Sequence, residues 1–290
     1  MAENTATKRH AEMNPIQNPK SKIENIEIDL LLEAVFRRYG HDFRHYARAS
    51  VERRVRQFLP KSECRTISDI ISKILHDEDV FEYFLLQLSI PVTEMFRDPQ
   101  VYRALRTQVL PVLKTYPFMR IWHAGCASGE EAYSLAILLK EEGLYERAVV
   151  FATDFNDVVL QKAREGIYDL ENVKLFSRNY QESGGRSSFS EYYHAHYNAI
   201  ALDTSLKENI TFANHNLVAD TVFTEAHLIL CRNVLIYFDR GLQNRVLTLF
   251  RDSLVRGGFL VLGSKESLMF SEVRDDFSII DEKNKIFKKK

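Results

Sequence analysis

The 290-residue sequence is poor in cysteine, with only Cys64, Cys126 and Cys231 and no CxxC pair. Three widely spaced thiols argue against a disulfide framework or a structural zinc site and suit a reducing cytoplasm. No apolar run approaches the roughly 18 residues that a membrane span needs. The opening stretch is polar, with Lys8, Arg9, Pro15 and Pro19, and lacks the apolar core of a secretory leader. Charge of one sign is missing too. The 39 Lys and Arg balance 40 Asp and Glu to a net −1, which excludes a generally basic nucleic-acid binder. There is no internal repeat. What is plentiful is apolar material, 45% of residues beside 27% charged, the balance of a globular protein with a sizeable core. The length suits about two domains.

Residues 1–22 carry little to bury and read as a flexible tail. From 23 to 114 the apolar spacing is helical. Leu30, Leu31, Ala34 and Val35 form one stripe; Val51, Val55, Phe58 and Leu59 another; Ile67, Ile70, Ile71 and Ile74 a third; and Phe81, Phe84, Leu85 and Leu88 a fourth. Gly40 and Pro60 are plausible stops. From 115 to 290 strands alternate with helices. Strands are expected at Met119–Ala124, Val149–Asp154, His227–Cys231 and Phe259–Leu262. Helices are expected at Glu130–Glu142, Val158–Arg164 and Gly241–Val255, the last stopping at Gly257-Gly258. A hairpin turning near Lys283-Asn284 closes the chain. This alternation predicts an α/β fold with a mostly parallel, Rossmann-like sheet. Residues of about 171–211 interrupt it and read as a loop with short strands, a small inserted β subdomain.

The first strand-turn-helix is where such a sheet binds ligands. Its turn, Gly125–Gly129, is neither the dinucleotide fingerprint GxGxxG nor followed by a Walker lysine. Glu130 and Glu131 open the helix, where two carboxylates would repel a pyrophosphate. They suit a cationic, phosphate-free ligand, and S-adenosylmethionine fits; simple complementation of the helix dipole is an equal alternative. Asp154, ending the second strand, is placed to accept bonds from ribose hydroxyls, with a helix cap as the alternative. Asn216 could meet an adenine edge or be a turn residue. Asn233 and Tyr237 follow the third strand at the ligand-facing edge. His123 and Cys126 lack a third orienting partner and make a poor nucleophile pair. His194 and His196 alone make no metal site. The absence of an Asp/Asn-Pro-Pro-aromatic tetrapeptide counts against methylation of DNA-base amino groups. A basic run, Arg44, His45, Arg48, Arg53, Arg54, Arg56, Lys61 and Arg65, either solvates a helix face or steers an acidic partner.

Five stretches in order carry a resemblance: Pro91–Asp98 (PVTEMFRD), Trp122–Ser134 (WHAGCASGEEAYS), Phe151–Asp154 (FATD), Asn216-Leu217 and Cys231–Phe238 (CRNVLIYF). Across about residues 24–289 the chain resembles the CheR-type chemotaxis receptor methyltransferases. The resemblance implies a class I S-adenosylmethionine-dependent fold with an all-helical N-terminal domain. It also implies methyl transfer to receptor glutamates. Cofactor contacts are implied at Thr93, Arg97, Glu131, Asp154, Asn216, Leu217, Asn233 and Val234, with Arg97 and Tyr237 near the methyl-transfer centre. The helical part, with Arg53 and Arg54, would face the cytoplasmic helices of a methyl-accepting receptor. The inserted strands match a subdomain that in some members binds a receptor's tether peptide. The chain departs from the family at Pro91, which removes a side-chain cofactor contact. It departs again at Ala132, and at Gly184–Ser190, which is unlike tether-binding members.

A glutamate is ionised at neutral pH, with a reference pKa of about 4.3, so its methylation needs alignment more than a strong base. No metal is implied, nor nucleic acid, nor membrane insertion, and a monomer is expected. A small-molecule methyltransferase and a non-catalytic S-adenosylmethionine-binding module are the rival readings; retention of Arg97, Asp154 and Tyr237 counts against the second.

Overall fold

The computed structural model describes residues 19–89 and 93–290. The part of the expected tail before residue 19, and the departure at Pro91, lie outside the described residues.

Four helices build the N-terminal unit: α1 (Pro19–Tyr39), α2 (Arg48–Phe58), α3 (Ile67–His76) and α4 (Glu78–Leu88). α1 begins inside the stretch expected to be tail, because helix once nucleated over the buried Ile28 and Leu31 propagates cheaply. It ends at Gly40, whose φ of +77° only glycine adopts without strain. Thr66 and Asp69 form a capping box on α3, and the Asp77 side chain caps α4. The four expected stripes converge, Leu31, Val35, Val51, Val55, Ile70 and Phe84 sharing one core, although Leu30 of the first stripe is turned out to solvent.

Next come α5 (Pro99–Ala104), a π-helical turn at Leu105–Val109, and α6 (Leu110–Leu113). Val101, Leu105, Leu110 and Leu113 bury themselves with the sheet rather than with the core of α1–α4. The segment grouped with the N-terminal helices on its spacing therefore packs with the second unit. Periodicity shows that a helix has an apolar stripe and is silent about which core receives it.

The main sheet contains β1 (Met119–Ala124), β2 (Ala148–Asp154), β6 (Ile210–Asn214), β7 (Ala226–Cys231), β8 (Leu254–Leu262), β9 (Phe277–Asp281) and β10 (Ile286–Lys289). Its order is β6-β2-β1-β7-β8-β10-β9, and β10 runs antiparallel to both neighbours. α7 (Glu130–Glu141), α8 (Asp157–Glu165) and α10 (Arg240–Ser253) connect its strands. Successive strand residues serve opposite faces: Ile121 joins the layer with α7, and Trp122 the layer with α10. Gly257-Gly258 does not stop α10. The helix ends at Ser253, and both glycines lie inside β8, where the pairing with β7 shifts register. Gly257 has φ +78°, and a Cβ at Gly258 would meet the Val255 carbonyl oxygen at 2.9 Å, so the pair marks a bulge.

The insertion is a three-stranded antiparallel sheet, β3 (Ile167–Asp169), β5 (Ala199–Leu202) and β4 (Tyr193–His196), in the order β3-β5-β4. It also holds a helix, α9 (Val173–Glu182), where a loop was expected. Phe176 and Tyr180 anchor that helix, and Asn179 donates to the Met95 carbonyl at 3.1 Å.

Candidate active site

A cleft of about 1070 Å³, counted out to solvent, opens at the carboxyl ends of β1, β2 and β7. That is the switch point of the sheet, where the chain leaves in opposite directions and a crevice is unavoidable. Its near wall is the turn after β1. Gly125 has φ +76°, and a Cβ there would strike Val234 Cγ2 at 2.4 Å, so only glycine lets the turns after β1 and β7 touch. The N–H groups of Gly125 and Cys126 both donate to the Thr153 carbonyl. The N–H of Ala127 donates to Asp154 Oδ2 at 2.9 Å, and that of Asn156 to Oδ1 at 3.1 Å. Asp154 therefore holds the turn while facing the cleft. Burial pushes its carboxyl up to about 6 against these N–H donors.

The two glutamates of α7 have separate fates. Glu130 turns to Ser128, whose hydroxyl donates to it at 2.8 Å, and burial raises it to about 7. Glu131 lines the cleft, 4% exposed, and meets Arg232 at 2.8 Å, with His123 at 3.9 Å. Burial works to raise Glu131, yet Arg232, His123 and Arg97 together hold it below its usual value. Arg232 also donates to the Arg97 carbonyl at 3.0 Å and to Asp98 at 2.6 Å. It pins the segment carrying Thr93 and Arg97 against the sheet. A lone arginine beside Asn233 gave no sequence signal for this, because its partners lie 101 and 134 residues away. The cationic-ligand argument from Glu131 is correspondingly weaker, since its charge is already matched.

Thr93, Arg97, Glu131, Asp154, Asn216, Leu217, Asn233, Val234 and Tyr237 all line this cleft. Asn216 Oδ1 accepts from Val218 N–H at 2.9 Å, a turn role alongside its place on the wall. Asn233, at φ +62°, has its Oδ1 buried and unbonded. His123 also reaches the cleft, burial lowering its pKa, while Cys126 is driven well above the usual thiol value. Burial and the charges of Asp154 and Glu130 outweigh the pull of Arg164 and keep that sulfur protonated and unreactive.

The roof comes from the helical unit, through Phe43, Tyr46, Ser50, Val51, Arg54 and Leu88. A main-chain seam joins the two units: Ala47 N–H donates to the Tyr237 carbonyl at 2.7 Å and Asp239 N–H to that of His45 at 2.8 Å. Arg54 lines the cleft, donates to the carbonyls of Gln87 and Leu88, and stands 5.7 Å over the Tyr237 ring. Arg53 is exposed and outside the cleft lining. Much of the basic run is matched by acids: Arg44 by Asp42 and Glu33, Arg48 by Asp29 and Glu52, Arg56 by Glu24 and Glu52.

The residues fit S-adenosylmethionine: a carboxylate, Asp154, on the cleft wall, a glycine that admits close backbone approach, and the unbonded Asn233 amide oxygen. The strand order, the antiparallel penultimate position and this cleft define a class I S-adenosylmethionine-dependent methyltransferase. Residues 91–286 match the model of the CheR methyltransferase SAM-binding domain, and residues 26–89 that of the CheR all-alpha domain. The chain belongs to the CheR methyltransferase family. It is 48% identical over 265 residues to Cher3 of Pseudomonas putida, covering 91% of this chain and 97% of that one. It is 31% identical to a chemotaxis protein methyltransferase of Listeria innocua, over 85% of this chain and 93% of that one. With chemotaxis protein methyltransferase 1 of Vibrio cholerae it shares 28% identity, over 79% and 84%. No helix among the described residues is long and apolar enough to cross a membrane.

Proposed function

We propose that the protein methylates glutamate side chains on the cytoplasmic helices of a methyl-accepting chemotaxis receptor, acting as a monomer in the cytoplasm. The observation that carries this is the shared cleft: the all-alpha domain roofs the same cavity that the sheet floors, with Arg54 and Tyr237 across its seam. S-adenosylmethionine supplies a methyl group activated by its sulfonium. Asp154 would receive the ribose hydroxyls, and Glu131, Asn216, Leu217, Asn233 and Val234 the rest of the ligand. Thr93 and Arg97 lie on the segment that Arg232 ties down. Arg97 and Tyr237 would orient the attacking carboxylate or hold the ligand's own. A tight double grip on the attacking oxygens would dull them, so orientation by one bond each serves the chemistry best. Arg53, exposed on α2, would meet the acidic receptor surface. Neither a metal nor a nucleic acid belongs to this reading.

The test is incubation with S-adenosylmethionine and a receptor cytoplasmic fragment, followed by peptide mass spectrometry. Methyl esters on glutamates support the proposal. Methyl transfer to a small acid but to no receptor fragment favours a metabolite enzyme, and binding of S-adenosylhomocysteine without any transfer favours a sensing module.

A further inference from the structure

Glu266 lies on the turn after β8, outside every motif singled out above, and is 4% exposed. Its carboxylate collects backbone N–H groups from two turns. Oε2 accepts from Gly263 at 2.5 Å and Asn233 at 3.2 Å, and Oε1 accepts from Val234 at 2.8 Å. Such convergence is what a carboxylate does when it fixes a loop, since a buried N–H left without a partner is costly. The approach is tight. A Cβ on Gly263 would stand 2.7 Å from the Asn233 nitrogen and 2.8 Å from Glu266 Oε2. The clamped residue is strained, Asn233 at φ +62°, and its Oδ1 is buried in the cleft wall without a partner. Val234 in turn presses on Gly125. One carboxylate thus registers the turn after β8, the turn after β7 and, through Val234, the turn after β1.

We propose that Glu266 is a positioning residue for the cofactor: by binding the N–H groups of residues 233 and 234 it holds Asn233 in the left-handed conformation that presents its amide oxygen to a hydrogen-bond donor of the ligand. This rests on the cofactor occupying the cleft, as proposed above. Glu266 touches no substrate and acts through Asn233 and Val234.

The experiment compares wild type, Glu266→Gln and Gly263→Ala by S-adenosylhomocysteine titration calorimetry, thermal unfolding and steady-state methylation of a receptor fragment. Glu266→Gln keeps the shape but sets an amide N–H against a backbone N–H. Gly263→Ala wedges the same contact from the other side. Either variant, folded, is expected to weaken S-adenosylhomocysteine binding by at least ~tenfold, the loss of about one hydrogen bond. The KM for S-adenosylmethionine should rise in parallel, with kcat at saturation within roughly threefold of wild type, the signature of lost ligand binding rather than lost chemistry. An affinity within about twofold of wild type in a folded variant overturns the inference. So does a fall in kcat at unchanged KM, or loss of folding in both variants, which would make Glu266 a support of the sheet. Failure of the wild type itself to bind would instead sink the cofactor assignment on which the inference stands.

Discussion

Asp154→Asn should trade ligand binding for stability, in a way that pH exposes. The Asp154 carboxyl sits at about 6 in the folded protein, chiefly through burial, against 3.8 for an ordinary aspartate. A raised acid binds its proton more tightly folded than unfolded, so between those two values the folded state carries the extra proton. Stability then falls as pH climbs from about 4 to 6 and is level above that window. Two pKa units at roughly 1.4 kcal/mol each set an upper bound of about 3 kcal/mol. The asparagine variant has no such proton to lose. It keeps one backbone bond and mismatches the other, N–H of Ala127 or of Asn156, an offset that does not vary with pH. Urea unfolding of both proteins at half-unit steps should show wild type losing up to ~3 kcal/mol relative to the variant across that window. Ligand binding should move the other way. Ribose hydroxyls donate to the ionised carboxylate, bonds worth about 1.5–3 kcal/mol, so the variant should bind S-adenosylhomocysteine roughly 10- to 100-fold more weakly. Wild-type affinity should climb with pH through about 6 and then plateau, while the variant's is flat. Parallel stability curves, or an unchanged affinity at pH 7.5, would refute the reasoning and leave Asp154 a cap of the glycine turn alone.

Arg232→Met should destabilise the protein by about 3–5 kcal/mol in urea, since it strands the buried Glu131; adding Glu131→Gln should recover part of that loss, and no recovery would mean the ion pair is not the cause. Gly125→Ala places a Cβ 2.4 Å from Val234 Cγ2 at a φ of +76°. The left-handed strain alone costs roughly 1–2 kcal/mol, and calorimetry should find S-adenosylhomocysteine binding weakened; full affinity would show the two turns free to part. Arg53→Glu should slow methylation of a receptor fragment at low salt while sparing cofactor affinity. The gap should close toward 1 M salt, where the screening length is ~3 Å, and equal rates throughout would remove the docking role. Arg54 is unsuitable for that test, because its bonds to the end of α4 make it part of the roof.

β1 and β2 were legible because a buried parallel strand is a short, mostly apolar run, broken in β1 only by Arg120 and His123, and the turn Gly125–Gly129 because few residues tolerate its backbone. α9 was hidden although Val173, Phe176 and Tyr180 repeat at helical spacing, since the Ser183–Gly185 cluster beside it carries the composition of a loop. Gly257-Gly258 misled because a glycine pair after a helix and a glycine pair in a bulged strand read alike. The cleft residues stood out where they lay inside contiguous motifs. Arg232, although inside the stretch Cys231–Phe238, and Glu266, outside every stretch, did not, because their work is done on partners far along the chain, and a single charged residue beside a strand carries no mark of whom it will meet.

The seam between His45–Ala47 and Tyr237–Asp239 rests on two main-chain hydrogen bonds, with the His45 ring 3.3 Å from the Asp239 carboxylate and the Tyr46 and Phe238 rings packed edge to face beside them. The two main-chain bonds ask only for a residue other than proline at positions 47 and 239, so that part of the joint survives side-chain changes there. The exposed Arg53 side of α2 stands apart from that joint, whereas Arg54 on the same helix lies 5.7 Å over the Tyr237 ring. On the docking role proposed for Arg53, exposed charges of that kind could be exchanged to suit a new partner while the roof stays registered on the floor, retuning recognition without rebuilding the chemistry beneath it.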